Sequence, residues 1–245
     1  MNLLLPFVGR KKETAQLQRL HAQRKHALIL GPAGVGKSAL VAHLRKRQPL
    51  VLCSQSETLG RICEHLETEL NLPAPHLPVV RRKNRLIKTL GESRETVVFD
   101  GLVWTTPKVS SFLESVMEHM PVWICARSEL AQDIGHFWPL LARFEKIELP
   151  PLRFSETNML LTAAIESGLI PPPVKPFVRQ LHRLSGGLPL ALVELLEQFT
   201  ARPYNLSRRA GLRLLELDRR IKNLRLTARV GVQASACPTA MQAKT

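Results

Sequence analysis

Acidic residues are scarce in this chain: 20 Asp and Glu stand against 35 Lys and Arg, for a formal net charge of +15. The imbalance points to polyanions as partners, with DNA or RNA the first class to weigh. Solvated helix faces account for the same charge equally well, and composition does not separate the two. Cysteines are few: Cys53, Cys63, Cys125 and Cys237, with no C-x-x-C pair among them. Neither a disulfide framework nor a cysteine metal site is expected, which fits a reducing cytoplasm. Cys53 and Cys125 fall inside apolar runs, where a small buried hydrophobe is the default. The eight histidines form no ligand-spaced group. No apolar run approaches a membrane span, and Met1-Asn2-Leu3-Leu4-Leu5-Pro6 carries neither a basic n-region nor a sustained apolar stretch. A cytoplasmic protein without a membrane partner is the expectation.

The chain does have ordinary apolar content, 44%, over 245 residues, enough for one α/β domain and a small appendage. Five short apolar runs are predicted strands: Ala27–Leu30, Leu50–Cys53, Thr96–Asp100, Val122–Ala126 and residues 144–149. Helical periodicity separates them. Leu59, Ile62, Cys63, Leu66 and Leu70 mark 54–70; Leu86, Ile87 and Leu90 mark 81–90; Phe112, Leu113, Val116 and Met120 mark 107–120. Alternation of this kind predicts an α/β fold: a three-layer core of about five mainly parallel strands covered on both faces by helices.

After Leu149 the texture becomes helical. Ser155 is the predicted N-cap of a helix through Glu166, and Pro171-Pro172-Pro173 a rigid linker. A helix ends near Leu184, Gly186-Gly187 punctuates, and Pro189 opens a last helix to about Phe199. Within 206–229, Leu214, Leu217, Ile221 and Leu224 share one face of a helix that also carries Arg209, Arg213, Arg219, Arg220 and Lys222. The expected division is a nucleotide-binding α/β core at 1–150, a lid plus basic amphipathic helix at 151–229, and a flexible tail at 230–245.

Residues 31–38 read Gly31-Pro32-Ala33-Gly34-Val35-Gly36-Lys37-Ser38, a complete G-x-x-x-x-G-K-[ST] phosphate loop between a predicted strand and a helix opening at Ala39. The glycines let backbone N–H groups turn toward phosphate oxygens, and the helix N-terminus adds partial positive charge. Lys37 is expected at the β- and γ-phosphates and the Ser38 hydroxyl at Mg²⁺. Thr96-Val97-Val98-Phe99-Asp100 has the Walker B form, a β-branched run ending in an acid, so Asp100 is the second expected Mg²⁺ ligand. Gly101 follows it. Glycine cannot polarise an attacking water, so slow hydrolysis is expected.

Four further segments carry a resemblance. They are Phe7-Val8-Gly9-Arg10 with Glu13, Val122-Trp123-Ile124-Cys125-Ala126-Arg127, Glu148-Leu149-Pro150-Pro151-Leu152 with Glu156, and Gly187-Leu188-Pro189-Leu190-Ala191-Leu192. In this order and spacing the chain resembles the AAA+ and STAND (signal-transduction ATPase) P-loop ATPases over about residues 6–199. The resemblance implies that Val8, Gly9 and Arg10 lie beside the adenine of ATP or ADP and that Pro189 packs on it. It also implies that Arg127 senses the γ-phosphate. Arg143 stands where some relatives place an arginine finger that acts on a neighbouring subunit. Two readings follow: an ATPase module that switches with its nucleotide, hydrolysing slowly or under a partner's stimulation, and assembling on nucleic acid; or a non-hydrolysing regulator that docks an acidic partner through its basic helix. A homo-oligomer or a protein partner is compatible with either.

Overall fold

The apolar runs become strands because each is short, branched and flanked by loop-forming residues. The computed structural model describes residues 5–73 and 77–201, with the isolated positions 211, 214, 217, 218 and 221. In chain order the elements are α1 (Lys11–Ala22), β1 (Ala27–Leu30), α2 (Lys37–Arg45), β2 (Leu50–Cys53), α3 (Leu59–Glu69), α4 (Val79–Gly91), β3 (Thr96–Asp100), α5 (Pro107–Met117) and β4 (Val122–Ala126). A short α6 (Ala131–Ile134), a 3-10 helix (Trp138–Arg143) and β5 (Glu145–Glu148) complete the sheet layer. Then come α7 (Phe154–Glu166), a second 3-10 helix (Pro172–Phe177), α8 (Val178–Ser185) and α9 (Pro189–Ala201).

The five strands are all parallel, in the order β2-β3-β4-β1-β5. This is the predicted α/β architecture, with each strand within a residue of its expected place. Side-chain alternation splits the interior between two faces. Leu28, Val97, Phe99 and Ile124 pack with α3, α4 and α5, while Ile29, Val98, Trp123 and Cys125 pack with α1 and α2. The buried residues of a third cluster follow β5: Leu152, Leu161, Leu181, Leu195 and Leu196 tie α7, α8 and α9 into the small helical unit, with Leu5 and Val8 of the N-terminal segment packed against them.

Several boundaries differ from the periodic expectation. Helix α3 starts at Leu59 rather than at 54, because the Thr58 hydroxyl accepts the Arg61 N–H at 3.3 Å and caps it. The cap of α7 is Arg153, not Ser155; the Glu156 carboxylate reaches back to accept the Arg153 N–H at 2.8 Å, and Ser155 sits inside the first turn. Helix α5 stops at Met117, three residues short of the predicted 120. Of the predicted basic helix at 206–229, the described positions 211, 214, 217, 218 and 221 are helical, and Leu214, Leu217 and Ile221 are exposed. Their apolar stripe is therefore not buried against the lid. The remainder of that helix, the tail at 230–245 and Cys237 lie outside the described residues.

Candidate functional site

The phosphate loop runs from the carboxyl end of β1 into α2, and three of its glycines are required by the backbone itself. A Cβ on Gly31 would stand 2.8 Å from the Leu149 carbonyl oxygen and 2.9 Å from a Val35 methyl. Gly34 and Gly36 have φ of +77° and +101°, in the left-handed region that side chains disfavour. The turn they make delivers the unpaired first-turn N–H groups of α2 to one place. Lys37 Nζ folds over this loop and donates to the carbonyls of Gly31 at 2.5 Å and Pro32 at 3.1 Å. Burial lowers the Lys37 ammonium from its ordinary pKa. Cys125 and Asp100 oppose that shift, whereas Arg127 adds to it. Asp100 and Arg127 thus stand close enough to act on Lys37 electrically, although neither was adjacent to it in sequence.

The strand order explains how they come together. β4 lies between β3 and β1, so Asp100 and Cys125 are paired in register and Arg127 follows β4 at the same carboxyl edge. Burial pushes the buried Cys125 thiol well up, and the Asp100 carboxylate beside it raises it further. The Cys125 carbonyl also accepts the N–H groups of Gly101 and Leu102, both at 3.1 Å, which fixes the turn after Asp100. Cys125 was read from sequence as a buried hydrophobe; its contact with Asp100 was signalled only by strand register. Gly101 has a φ of +90° and open space where a Cβ would point, so backbone conformation rather than crowding selects glycine there.

A cavity of about 460 Å³ opens beside the loop. Its walls combine Val8 and Arg10 from the N-terminal segment, Val35, Gly36, Lys37, Ser38 and Ala39 from the loop and α2, and Pro189 from the lid. Gly34 also lines it, whereas Gly9, Gly31, Pro32 and Ala33 do not. Leu5, Pro6, Leu160 and Val193, outside the motifs, and Phe7, Leu152 and Leu190, within them but given no role, supply the apolar rest of the lining. The Phe7 ring stacks on His43 of α2 with centroids 4.2 Å apart, which pins the N-terminal segment to the loop's own helix. Lid and loop are bonded directly, the Leu190 N–H donating to the Gly34 carbonyl at 3.1 Å; within the lid, the Leu152 N–H donates to the Gly187 carbonyl at 2.8 Å and ties the start of the lid to the turn before α9.

Arg10 is 5% exposed, and its guanidinium is already engaged. One nitrogen donates to the Pro150 carbonyl at 2.6 Å and the Val35 carbonyl at 3.2 Å, and another lies 3.5 Å from Glu13. It ties the phosphate loop to the segment that leads into α7 while its stem lines the cavity. Arg143 is placed elsewhere. It ends the 3-10 helix before β5, at the amino edge of the sheet beside His26, on the far side from its own chain's phosphate loop. Nothing at its own nucleotide site is within its reach.

The donor set fits a magnesium nucleotide. The exposed Ser38 hydroxyl and the half-buried Asp100 carboxylate are hard oxygen donors with no ion pair among the described residues. Magnesium is commonly held by one or two such groups together with substrate phosphates. Among the described residues there is also no group of three or more His, Cys, Asp or Glu placed to cage a metal.

Comparison with solved structures agrees with this geometry. Orc1 of Aeropyrum pernix, solved in complex with DNA, superposes with a TM-score of 0.63 at 17% identity, over 88% of this chain and 66% of that one. Cdc6p of Pyrobaculum aerophilum gives 0.62 at 16% identity, over 80% and 65%. A Walker-type ATPase of Pyrococcus abyssi gives 0.60 at 16% identity, over 94% and 77%. At these identities the likeness is one of fold, an α/β P-loop NTPase-like fold shared with Orc1, Cdc6p and the Walker-type ATPase. This chain spans just under two thirds of the length of the Orc1 and Cdc6p chains. No protein-family model and no curated protein matches the sequence. No helix among the described residues is long and apolar enough to cross a membrane.

Proposed function

We propose that this AAA+-type module binds ATP with Mg²⁺ between the α/β core and the helical lid and changes the lid's seating with the state of the nucleotide. The observation that carries the reading is the double attachment of the phosphate loop, to the lid through Leu190 and to the core–lid connection through Arg10. A phosphate tail entering the loop competes for Lys37 and draws on the same backbone that holds Leu190. The apolar walls take the base, with Pro189 against it; the loop N–H groups and Lys37 hold the β- and γ-phosphates; Ser38 and Asp100 hold the metal. Bound Mg²⁺ supplies positive charge to the phosphate oxygens. Arg127, exposed at the end of β4, registers the γ-phosphate. Loss of that phosphate removes contacts from Lys37 and Arg127 and loosens the lid.

Hydrolysis by this chain alone is slow, because Gly101 offers no group to orient water and its left-handed φ accommodates no acid without strain. A partner, or Arg143 of a second copy, is needed for faster turnover. The same glycine favours a second reading, a regulator that holds its nucleotide without hydrolysing it. The charge of +15 and the DNA complex of the Orc1 relative in fold support an output on nucleic acid. The test is titration calorimetry with Mg·ATP. Lys37→Ala should bind at least about tenfold more weakly than wild type, the worth of a charge-assisted hydrogen bond. Equal affinity in the two proteins would refute the site.

A further inference from the structure

A parallel sheet with its crossovers returns every helix to the same edge, and here that edge collects cations from four distant places in the sequence, with a histidine at a fifth. Each loop that enters a strand contributes. In lateral order, Lys46 and Arg47 precede β2, Arg94 precedes β3, His119 precedes β4, Arg24 precedes β1 and Arg143 precedes β5. The loops touch one another: an Arg24 guanidinium nitrogen lies 3.5 Å from the His119 carbonyl oxygen, and Gly91 packs against the His119 ring. All five cationic residues, Arg24, Lys46, Arg47, Arg94 and Arg143, are exposed, and none forms an ion pair among the described residues. We propose that this amino edge of the sheet, opposite the nucleotide cavity, is a docking face for the phosphate backbone of duplex DNA.

Cations at helix ends also offset the helix dipole, but that role is satisfied within the last turn. Arg24, Arg47, Arg94 and Arg143 lie beyond their helices or at the strand entrance, and with Lys25 and Lys46 they outnumber the acids of the same edge, Glu92, Glu95, Glu118 and the strand-leading Glu145. Two histidines on this edge register the result. Burial lowers the pKa of His21 and His26, and in each a neighbouring cation lowers it further: Arg24 and Arg143, respectively.

The face also lacks what other partners require. The exposed large apolar side chains, Trp104, Trp138, Leu130 and Val103 among them, are absent from these strand-entering loops among the described residues. Protein interfaces concentrate aromatic and aliphatic anchors at their centre, and membrane-surface helices bury an apolar face. Nucleic-acid interfaces are more polar and far more positive. Across five strands the row is about 19 Å long, the axial rise of roughly five base pairs. The contacts are to phosphate, so no base sequence is read.

The inference is independent of the nucleotide site and fails separately from it. The probe is a fluorescein-labelled DNA duplex of mixed sequence, about 20 base pairs long, titrated at several salt concentrations, with the full chain. The test variant carries R24Q, K46Q, R47Q and R94Q; Arg143 is left in place because of its candidate role toward a second copy. A charge-matched control carries K11Q, K12Q, K108Q and K175Q, all exposed and away from this edge. Wild type and control should bind alike. The test variant should bind at least about tenfold more weakly near 0.1 M salt, with a log–log salt slope shallower by about 3. Its circular dichroism and Mg·ATP affinity should match wild type. Unchanged duplex affinity in the test variant, equal loss in the control, or no wild-type binding at low salt would overturn the proposal. So would a variant that loses binding to phosphatidylserine vesicles while keeping the duplex.

Discussion

At the carboxyl edge of the sheet, backbone meets backbone. Gly34 and Leu190, Gly187 and Leu152, and Gly101 and Cys125 are joined by main-chain hydrogen bonds at 2.8 to 3.1 Å, and an added Cβ at several of these places collides at once. At the amino edge, the loops carry long cationic side chains that reach into solvent with little to hold them. Both edges are dictated by the same parallel topology: strand ends and helix starts converge on one side, helix ends on the other. The difference is in how function is encoded. The carboxyl edge needs particular backbone conformations, so its residues are few and intolerant. The amino edge needs only charge density, so its residues act additively and individually weigh little.

Gly187→Ala is the sharpest blow to the first edge. A Cβ there would collide with the Leu152 carbonyl oxygen, at a φ of +74°. Left-handed strain and overpacking together should cost about 3 kcal/mol in urea unfolding. The Leu152 N–H bond to Gly187 that seats the lid would go with it, so Mg·ATP affinity should fall as well. A variant as stable as wild type would show that the lid seating is not rigid and would blur the contrast between the edges.

The chain's arginines themselves divide into bonded and free, and a buried acid marks the bonded kind. Glu67 of α3 is 1% exposed and accepts from Arg82 at 2.6 and 3.0 Å and from Arg85 at 2.6 Å, both on α4. Arg82→Ala leaves that carboxylate with half its partners and should cost about 2 kcal/mol in the same assay. The pH dependence has a definite sign. Burial pushes the Glu67 carboxyl up, but the hydrogen bonds and charges of Arg82 and Arg85 outweigh it and hold the group below its usual value. Its stabilisation is therefore complete above the unfolded carboxyl pKa and disappears as pH falls through the lower folded value. Glu67→Gln should flatten the loss of stability that wild type shows on going from about pH 5 to pH 3. Identical acid profiles would show that the pair contributes nothing.

Much of the carboxyl edge was legible in sequence because its signals are local. The loop at 31–38, the acid ending Thr96–Asp100 and the proline opening α9 each announce themselves within a few residues. What required the fold was anything set by strand order. Cys125 meets Asp100 only because β4 pairs with β3, and Arg10 proves to be a tie between Val35 and Pro150 although its motif implied a place beside the adenine. Helix α1 escaped the periodic reading because only Leu17 and Leu20 are apolar and buried in a stretch otherwise rich in polar residues. The amino edge left no sequence signal, since Arg24, Arg47, Arg94 and Arg143 are separated by tens of residues and converge through topology alone.

The smallest predicted effect draws the line between the edges most finely. Arg94 and Arg47 are exposed and make no ion pair among the described residues, so Arg94→Gln and Arg47→Gln should each change unfolding free energy by less than about 0.5 kcal/mol. Measured beside Arg82→Ala, they separate cations retained for the fold from cations available to a partner. A loss as large as that of Arg82→Ala would mean that these side chains hold the structure together, and the amino edge would then be a second architectural seam with no charge to spare for a ligand.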